Sequence, residues 1–467
     1  MNWINFIYVY QPPTQKKDIL LKVMDQSYRP LFDILLNNQN AKINLSINYG
    51  LIEMFIKNNG EDIINKIKKL LDRDQIEIID TAAYQGFFPL LPKNEIIRQI
   101  ERNHNMNKTI LGEKYNPECF FSPSMVYTEN IFEIVKKLGY KSIIIDENAI
   151  EGEGSIKHDR IYKHKGLNVF IRDRNESFKI MSYPLDENQD LIEELYKSFK
   201  QDEFLITAID GETFGHHRIG YEKLLFYIYS SYKINSLLLK EIPYLIENRE
   251  EIDPKESSWI IPLPKESTFQ RWYTKSNEIQ KKQLELLNFA IKVINNSKFK
   301  TSDPQITSIE DYSLRTSEKT WLQARYILDE AEYQDQFFFS SAKPTWSIDL
   351  IEKGSYLLSE AIRLNPDSDK QDKNKARALY QDIVLTALKW QKERIVDKTS
   401  KQFFEDEKPE ETSISTPKLK KKEYEAAIKN LTQNMINASN SQEYEIAQSF
   451  KERITDLNNM IKDLKLE

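Results

Sequence analysis

The chain has 467 residues, too long for one ordinary core, so two or three packed units are expected. Hydrophobic residues make up 40%, aromatics 11% and charged residues 30%, which describes a folded chain rather than a disordered one. The formal net charge of -6 is close to balanced for this size and argues against a dominant nucleic-acid or membrane-surface role.

A single cysteine, Cys119, excludes an intrachain disulfide. Residues 1–10 lack the basic start of a secretory leader, and their short apolar run leads straight into Gln11-Pro12-Pro13. No apolar stretch reaches the roughly 18 residues that a membrane-crossing helix needs. A cytoplasmic location is therefore expected.

Short β-branched runs recur along the first half of the chain. They lie at residues 4–10, 42–47, 76–80, 119–121, 142–146, 169–172 and 204–210, with helical patterns at 19–37, 60–72, 93–109 and 128–138 between most of them. Strands alternating with helices imply a parallel sheet. Their number suggests a closed barrel, with a doubly wound open sheet as the alternative. After about Gly220 the strand signal disappears. Residues 221–248, 277–296, 318–332, 347–364 and 373–392 carry apolar residues at helical spacing and predict a helical subdomain closing one face of the barrel. From 397 to 422 the composition turns to Lys, Glu, Ser, Thr and Pro, which reads as a solvated linker. Two amphipathic helices follow, with Leu431, Met435 and Ala438 on one face and Tyr444, Ala447, Ile454 and Leu457 on the other. A hairpin this small must dock or self-associate.

The segment richest in chemistry runs from Phe204 to His217. An apolar strand ends in Asp210 and opens into a polar loop. The C-terminal ends of parallel barrel strands point into the functional face, where low dielectric can raise the pKa of a general acid/base. The alternative is that Asp210 merely caps the next helix. His216 and His217 are adjacent, unlike the i, i+4 pairs that share a metal. His104, His158 and His164 sit in polar segments without ligand-like spacing, so no metal and no cofactor is expected.

The string Asp210-Gly211-Glu212-Thr213-Phe214-Gly215-His216-His217 resembles the signature of glycoside hydrolase family 57 that carries the catalytic acid/base. Tyr8-Val9-Tyr10-Gln11-Pro12-Pro13 resembles that family's first motif, a His-x-His-Gln-Pro string. Residues 82–92, with Glu95 to Glu101, resemble its second, and Phe120-Phe121-Ser122-Pro123-Ser124-Met125-Val126-Tyr127 resembles the third, where the family places its nucleophile. Residues 272–287 and 337–354 are also similar. The resemblance implies a (β/α)7-type incomplete TIM barrel at 1–255 and a helical subdomain at 256–396. The linker at 397–422 and a hairpin at 423–467 follow; the hairpin resembles the UVR motif, which mediates protein contacts, a generic helical tail being the alternative.

The same resemblance bears on activity. Ser124 stands where the family has glutamate, Tyr8 and Tyr10 where it has histidines, and Gln85 where a histidine is usual. A retaining mechanism needs two carboxyl groups about 5–5.5 Å apart, and only Asp210 is retained. The expected function is an α-amylase-like protein that binds or acts on α-glucan with impaired hydrolysis. The alternative is an active hydrolase or glucanotransferase using Asp210 and a second carboxylate elsewhere. Asp146, Glu147, Glu129 and Glu212 are the carboxylates weighed for that role. The expected substrate contacts are Tyr8, Tyr10, Gln11, Gln85, Glu212, His216, His217, Trp272 and Trp346. Tyr84, Phe214 and Trp259 are further aromatics that can stack on sugars or simply pack a core. The expected partners are an α-glucan or oligosaccharide and a protein bound through the hairpin, with no nucleic acid and no membrane.

Overall fold

A computed structural model describes residues 1–150, 156–184, 188–200, 202–262, 267–301 and 314–406, together with isolated positions between 428 and 458. Ten strands form among the described residues: β1 (Asn2–Val9), β2 (Ile43–Ile47), β3 (Ile76–Asp80), β4 (Cys119–Phe121), β5 (Ser142–Asp146), β6 (Ile161–His164), β7 (Leu167–Arg172), β8 (Phe204–Asp210), β9 (Asn235–Ser236) and β10 (Arg249–Glu251). Their order is β10-β6-β7-β5-β4-β3-β2-β1-β8, with β9 against the start of β1. β6 pairs antiparallel with β7; the other strand pairings among them are parallel. The seven strands β7-β5-β4-β3-β2-β1-β8 form the expected incomplete barrel. Its two ends approach each other: Asp173 N donates to Ile206 O at 2.9 Å and Ala208 N to Ser177 Oγ at 3.1 Å.

Alternation along the strands sorts the core into layers. Trp3, Ile7, Val9, Leu205 and Ile209 face outward onto the helices, whereas Ile4, Phe6, Phe204, Ile206 and Ala208 face the barrel interior. Tyr8 and Asp210 share the parity of the interior set and are partners in register. The barrel therefore aims both at its axis, where the strands end.

The strand signal does not stop at Gly220. The helix expected over 221–248 covers only Glu222–Ser230, followed by β9, the short helix Ile242–Leu245 and β10. The first helix stops where Ser231 turns extended, and Pro243, which lacks the amide a helix interior needs, stands at the start of the second. Leu237, Leu239, Ile242 and Ile246 join the interior cluster.

The helices Glu278–Asn295, Thr316–Ala331, Ile348–Leu364 and Lys370–Lys392 form the expected helical region. Side-chain caps fix three of their starts, from Asn277, Ser347 and Asp369. A further helix, Ile395–Asp406, runs into the beginning of the stretch expected as a linker, whose remainder lies outside the described residues. The UVR-like hairpin likewise lies largely outside them, its isolated described positions being helical. No helix among the described residues is long and apolar enough to cross a membrane.

A buried charge network fastens the helical region to the barrel. Arg325 Nη2 lies 2.7 Å from both Glu95 and Asp329 and 3.4 Å from Glu332. Arg98 grips Asp329 with two bonds of 2.7 Å, and Gln99 Nε2 donates to Glu332 at 2.8 Å. Glu95, Arg98 and Gln99 belong to the barrel helix Lys93–Leu111; their partners belong to Thr316–Ala331 and the turn after it.

Candidate active site

The loops after β3 and β4, at the C-terminal ends of those strands, meet the helical region. After β4, Ser124 and Met125 adopt left-handed backbone angles (φ 57° and 51°), as does Gln85 after β3 (φ 55°). Non-glycine residues visit this region at a cost, so neighbours must hold them there. Tyr127 and Ser257 exchange two backbone bonds of 2.9 and 3.1 Å, and Trp259 N donates to Ser124 O at 3.1 Å. Gln334 N donates to Gln85 O at 3.1 Å, and the Ser124 hydroxyl donates to Gln334 Oε1 at 2.6 Å.

These loops enclose a mostly apolar cavity of about 180 Å3. Of the residues expected from the sequence, it is lined by Tyr8, Tyr10, Gln85, Ser124 and Trp272. Trp259 also lines it, as do Arg172, Gln334 and Asp335, which sequence reasoning missed. Arg172 was open to the strand-end argument that selected Asp210, since it is the last residue of β7. Asp335 stands two residues before the similar stretch at 337–354 and carries no strand-end signal of its own.

Asp210 sits beside this cavity rather than in its wall. One oxygen, Oδ1, accepts from Thr213 N at 3.0 Å and from the Thr213 hydroxyl, so the capping reading is realised. Its other oxygen lies 3.9 Å from His217 Nε2, and the side chain is a quarter exposed. Its register partner Tyr8 does line the cavity, stacking on the Phe121 ring at 5.6 Å between centroids. Burial, and then the negative charge of Asp210, push the Tyr8 hydroxyl well above its ordinary range, while Arg172 pulls the other way.

Glu212 supports the loop from behind. Its Oε1 accepts from Tyr10 N and Gln11 Nε2, both at 3.2 Å, and from the Tyr28 hydroxyl. Burial and the nearby Asp210 raise its pKa. His216 Nδ1 pairs with Gln26 Oε1 at 2.9 Å, leaving His217 as the histidine of this loop that faces Asp210. Trp346 does not reach the cavity; it stacks on Trp390 at 6.2 Å. Tyr84 is buried among Tyr49 and Arg102, and Phe214 stacks on Tyr221.

The other carboxylates weighed for a catalytic role are already engaged. Asp146 is fully buried between Arg172 and Arg174, at 3.2 and 3.6 Å. Glu147 accepts from Arg174 N at 3.1 Å. Glu129 binds Tyr127, His164 and Lys165. His104 pairs with the buried Asp80, and His158 with Phe204 O and Asp173. Among the described residues, no group of three or more His, Cys, Asp or Glu side chains is placed to hold a metal.

Asp335 is the carboxylate of the cavity wall. Burial raises its pKa from 3.8 to about 6, against the opposing effect of the Tyr10 hydroxyl that donates to it. A folded-state value above the unfolded one means that the folded protein binds the extra proton between about pH 4 and 6. Stability from this group is thus fully present below pH 4 and lost as pH rises through 6. Asp335→Asn should therefore stabilise the protein above pH 7 by on the order of 2–3 kcal/mol and do little at pH 4. Thermal unfolding at the two pH values checks this; equal shifts at both would refute it.

Comparison with known proteins agrees with this architecture. The family model of glycosyl hydrolase family 57 matches residues 2–255. The α-amylase of Pyrococcus abyssi is 23% identical over 230 residues, covering 48% of this chain and 34% of that protein. The 4-α-glucanotransferase of Thermococcus litoralis is 23% identical over 221 residues, covering 46% and 33%. This chain thus spans about a third of the length of these curated relatives. Among solved structures, the GH57-type branching enzyme of Pyrococcus horikoshii superposes with a TM-score of 0.62 at 14% identity, covering 83% of this chain and 96% of that one. With the barrel, the strand-end loops and the family match in agreement, the chain belongs to glycosyl hydrolase family 57.

Proposed function

We propose that the cavity receives a sugar unit of an α-glucan or oligosaccharide, and that the two-carboxylate hydrolysis of a retaining glycosidase is impaired in it. The observation that supports this most is the state of Ser124. A retaining nucleophile must be an anion aimed at the anomeric carbon. Ser124 presents instead a hydroxyl already donating to the neutral amide of Gln334. Aromatic walls from Tyr8, Phe121, Trp259, Trp272 and Phe338 suit the apolar face of a sugar ring.

A second reading is favoured by one observation, the presence of Asp335 in the cavity wall. On that reading the protein is a working hydrolase or glucanotransferase that pairs Asp210 with Asp335. The deciding measurement is hydrolysis of maltooligosaccharides by the unmodified protein, by Asp210→Asn and by Asp335→Asn. Under the first reading all three are inactive while oligosaccharide still binds. Activity lost in both variants would establish the second; absence of oligosaccharide binding would remove both. A protein partner for residues 423–467 and a cytoplasmic location belong to the same proposal and are supported by the sequence alone.

A further inference from the structure

Arg172 is 4% exposed, yet it lines the cavity. A buried cation demands an account of its charge. Its Nη1 lies 3.2 Å from Asp146 Oδ2, and its guanidinium carbon stands 5.1 Å from the centre of the Phe178 ring. Asp146 is not its private partner, because Arg174 Nη1 reaches the other oxygen at 3.6 Å. Glu147 is the second carboxylate near this pair, but it is turned to Arg174, whose backbone N–H it accepts. The Nε of Arg172 is buried and has no hydrogen-bond partner among the described residues.

In the same cavity lining, the indole N–H of Trp272 is likewise buried without an acceptor. Unmet buried donors are uncommon and cost about 1–3 kcal/mol each, more when charged. Two acceptors of the wall are already engaged, Asp335 Oδ2 by the Tyr10 hydroxyl and Gln334 Oε1 by Ser124. Asp210, which does not line the cavity, caps its own loop through Oδ1 and faces His217 with its other oxygen. Position 124, in the same lining as Arg172, holds a neutral serine.

We propose that this cavity selects a sugar bearing an anionic group, a phosphate ester or a carboxylate, with that group seated on Arg172. The proposal rests on the sugar-binding reading above and narrows its ligand. A guanidinium matches such a group in charge and in planar donor geometry, and the two form stronger hydrogen bonds than neutral pairs. The hydroxyls of an unmodified glucan supply no charge to meet it.

The test is calorimetric titration of the full chain with glucose, glucose 6-phosphate, glucuronate, inorganic phosphate and maltotriose. At least one anionic sugar should bind about tenfold or more tightly than glucose, as a charged hydrogen bond predicts. Which one does so separates phosphate from carboxylate as the seated group. Arg172→Gln should abolish the preference. So should Ser124→Glu, which places a competing carboxylate in the cavity and keeps the test decisive if Arg172→Gln does not fold. The proposal is overturned if glucose binds as tightly as both anionic sugars, or if the preference survives the folded variants. It is also overturned if inorganic phosphate alone binds as tightly as glucose 6-phosphate, which would mean an adventitious ion only. Maltotriose binding without anionic preference ends this proposal and leaves the glucan reading standing. Anionic preference without maltotriose binding does the reverse.

Discussion

Asp329→Ala is expected to destabilise the protein by about 3–5 kcal/mol, because it strips the shared counter-ion from buried arginines. Asp329 is fully buried, bonded twice by Arg98 and also by Arg325 Nη2 at 2.7 Å, with Arg102 Nε 3.8 Å away. Burial alone would raise its pKa, but Arg325 and Arg98 outweigh that and hold it well below the usual carboxylate range. A depressed folded-state pKa contributes stability above pH 4 that is lost only as pH falls through the folded value. The loss in Asp329→Ala should therefore be large at pH 7. Glu332, in the same network, gives the opposite expectation. Burial and the neighbouring Glu95 push its carboxyl well up, so Glu332→Gln should leave stability at pH 7 unchanged or improved. Urea unfolding followed by the fluorescence of the buried Trp321 and Trp272 compares the two. Similar losses in both variants would show that packing, not charge pairing, fastens the helices here.

The barrel was legible because its seven parallel strands are buried on both faces and so are written as β-branched runs. The expected runs 76–80, 119–121, 142–146 and 204–210 coincide with β3, β4, β5 and β8. β10 escaped notice because Arg249–Glu251 is entirely charged, and it is a strand only through its pairing with β6. β9 is two residues long, held by β1. Such edge strands are made by tertiary contact rather than by local preference.

Of the expected site residues, the structure brings Tyr8, Tyr10, Gln85, Ser124 and Trp272 to one cavity, and their roles belong to the proposal above. Asp210 follows from the strand-end argument and Tyr8 from the motif resemblance, and the structure puts them side by side. Arg172 also ends its strand, but no motif and no acid/base argument marks it in the sequence. Asp335 reaches the cavity through the docking of the turn after Thr316–Ala331 onto Gln85, a contact that no local pattern announces. Trp346 shows the converse: it belongs to a stretch that resembles the family, but packing against Trp390 keeps it from the cavity.

Ser124→Glu should convert the cavity into a better hydrolytic site, raising turnover of an activated aryl α-glucoside by about 10²-fold or more, the low end of what a positioned catalytic group contributes. The backbone at 124 already holds the left-handed conformation, pinned through Trp259 N to Ser124 O, so the substitution asks for no new loop geometry. It removes the bond from the Ser124 hydroxyl to Gln334 Oε1 and sends a longer, charged side chain into the cavity that Tyr8 also lines. Arg172 in the same wall favours the ionised carboxylate that a nucleophile requires. On this reading Asp210, in register with Tyr8, is the carboxyl proposed to give the proton to the leaving oxygen, and the variant tests whether it reaches that oxygen from beside the cavity. Two controls separate this from adventitious activity. Ser124→Glu combined with Asp210→Asn should return to the level of the unmodified protein, and azide should raise turnover in the unmodified protein but not in Ser124→Glu. A folded Ser124→Glu protein that still binds oligosaccharide yet turns over no faster would mean that position 124 and Asp210 do not face a common anomeric carbon.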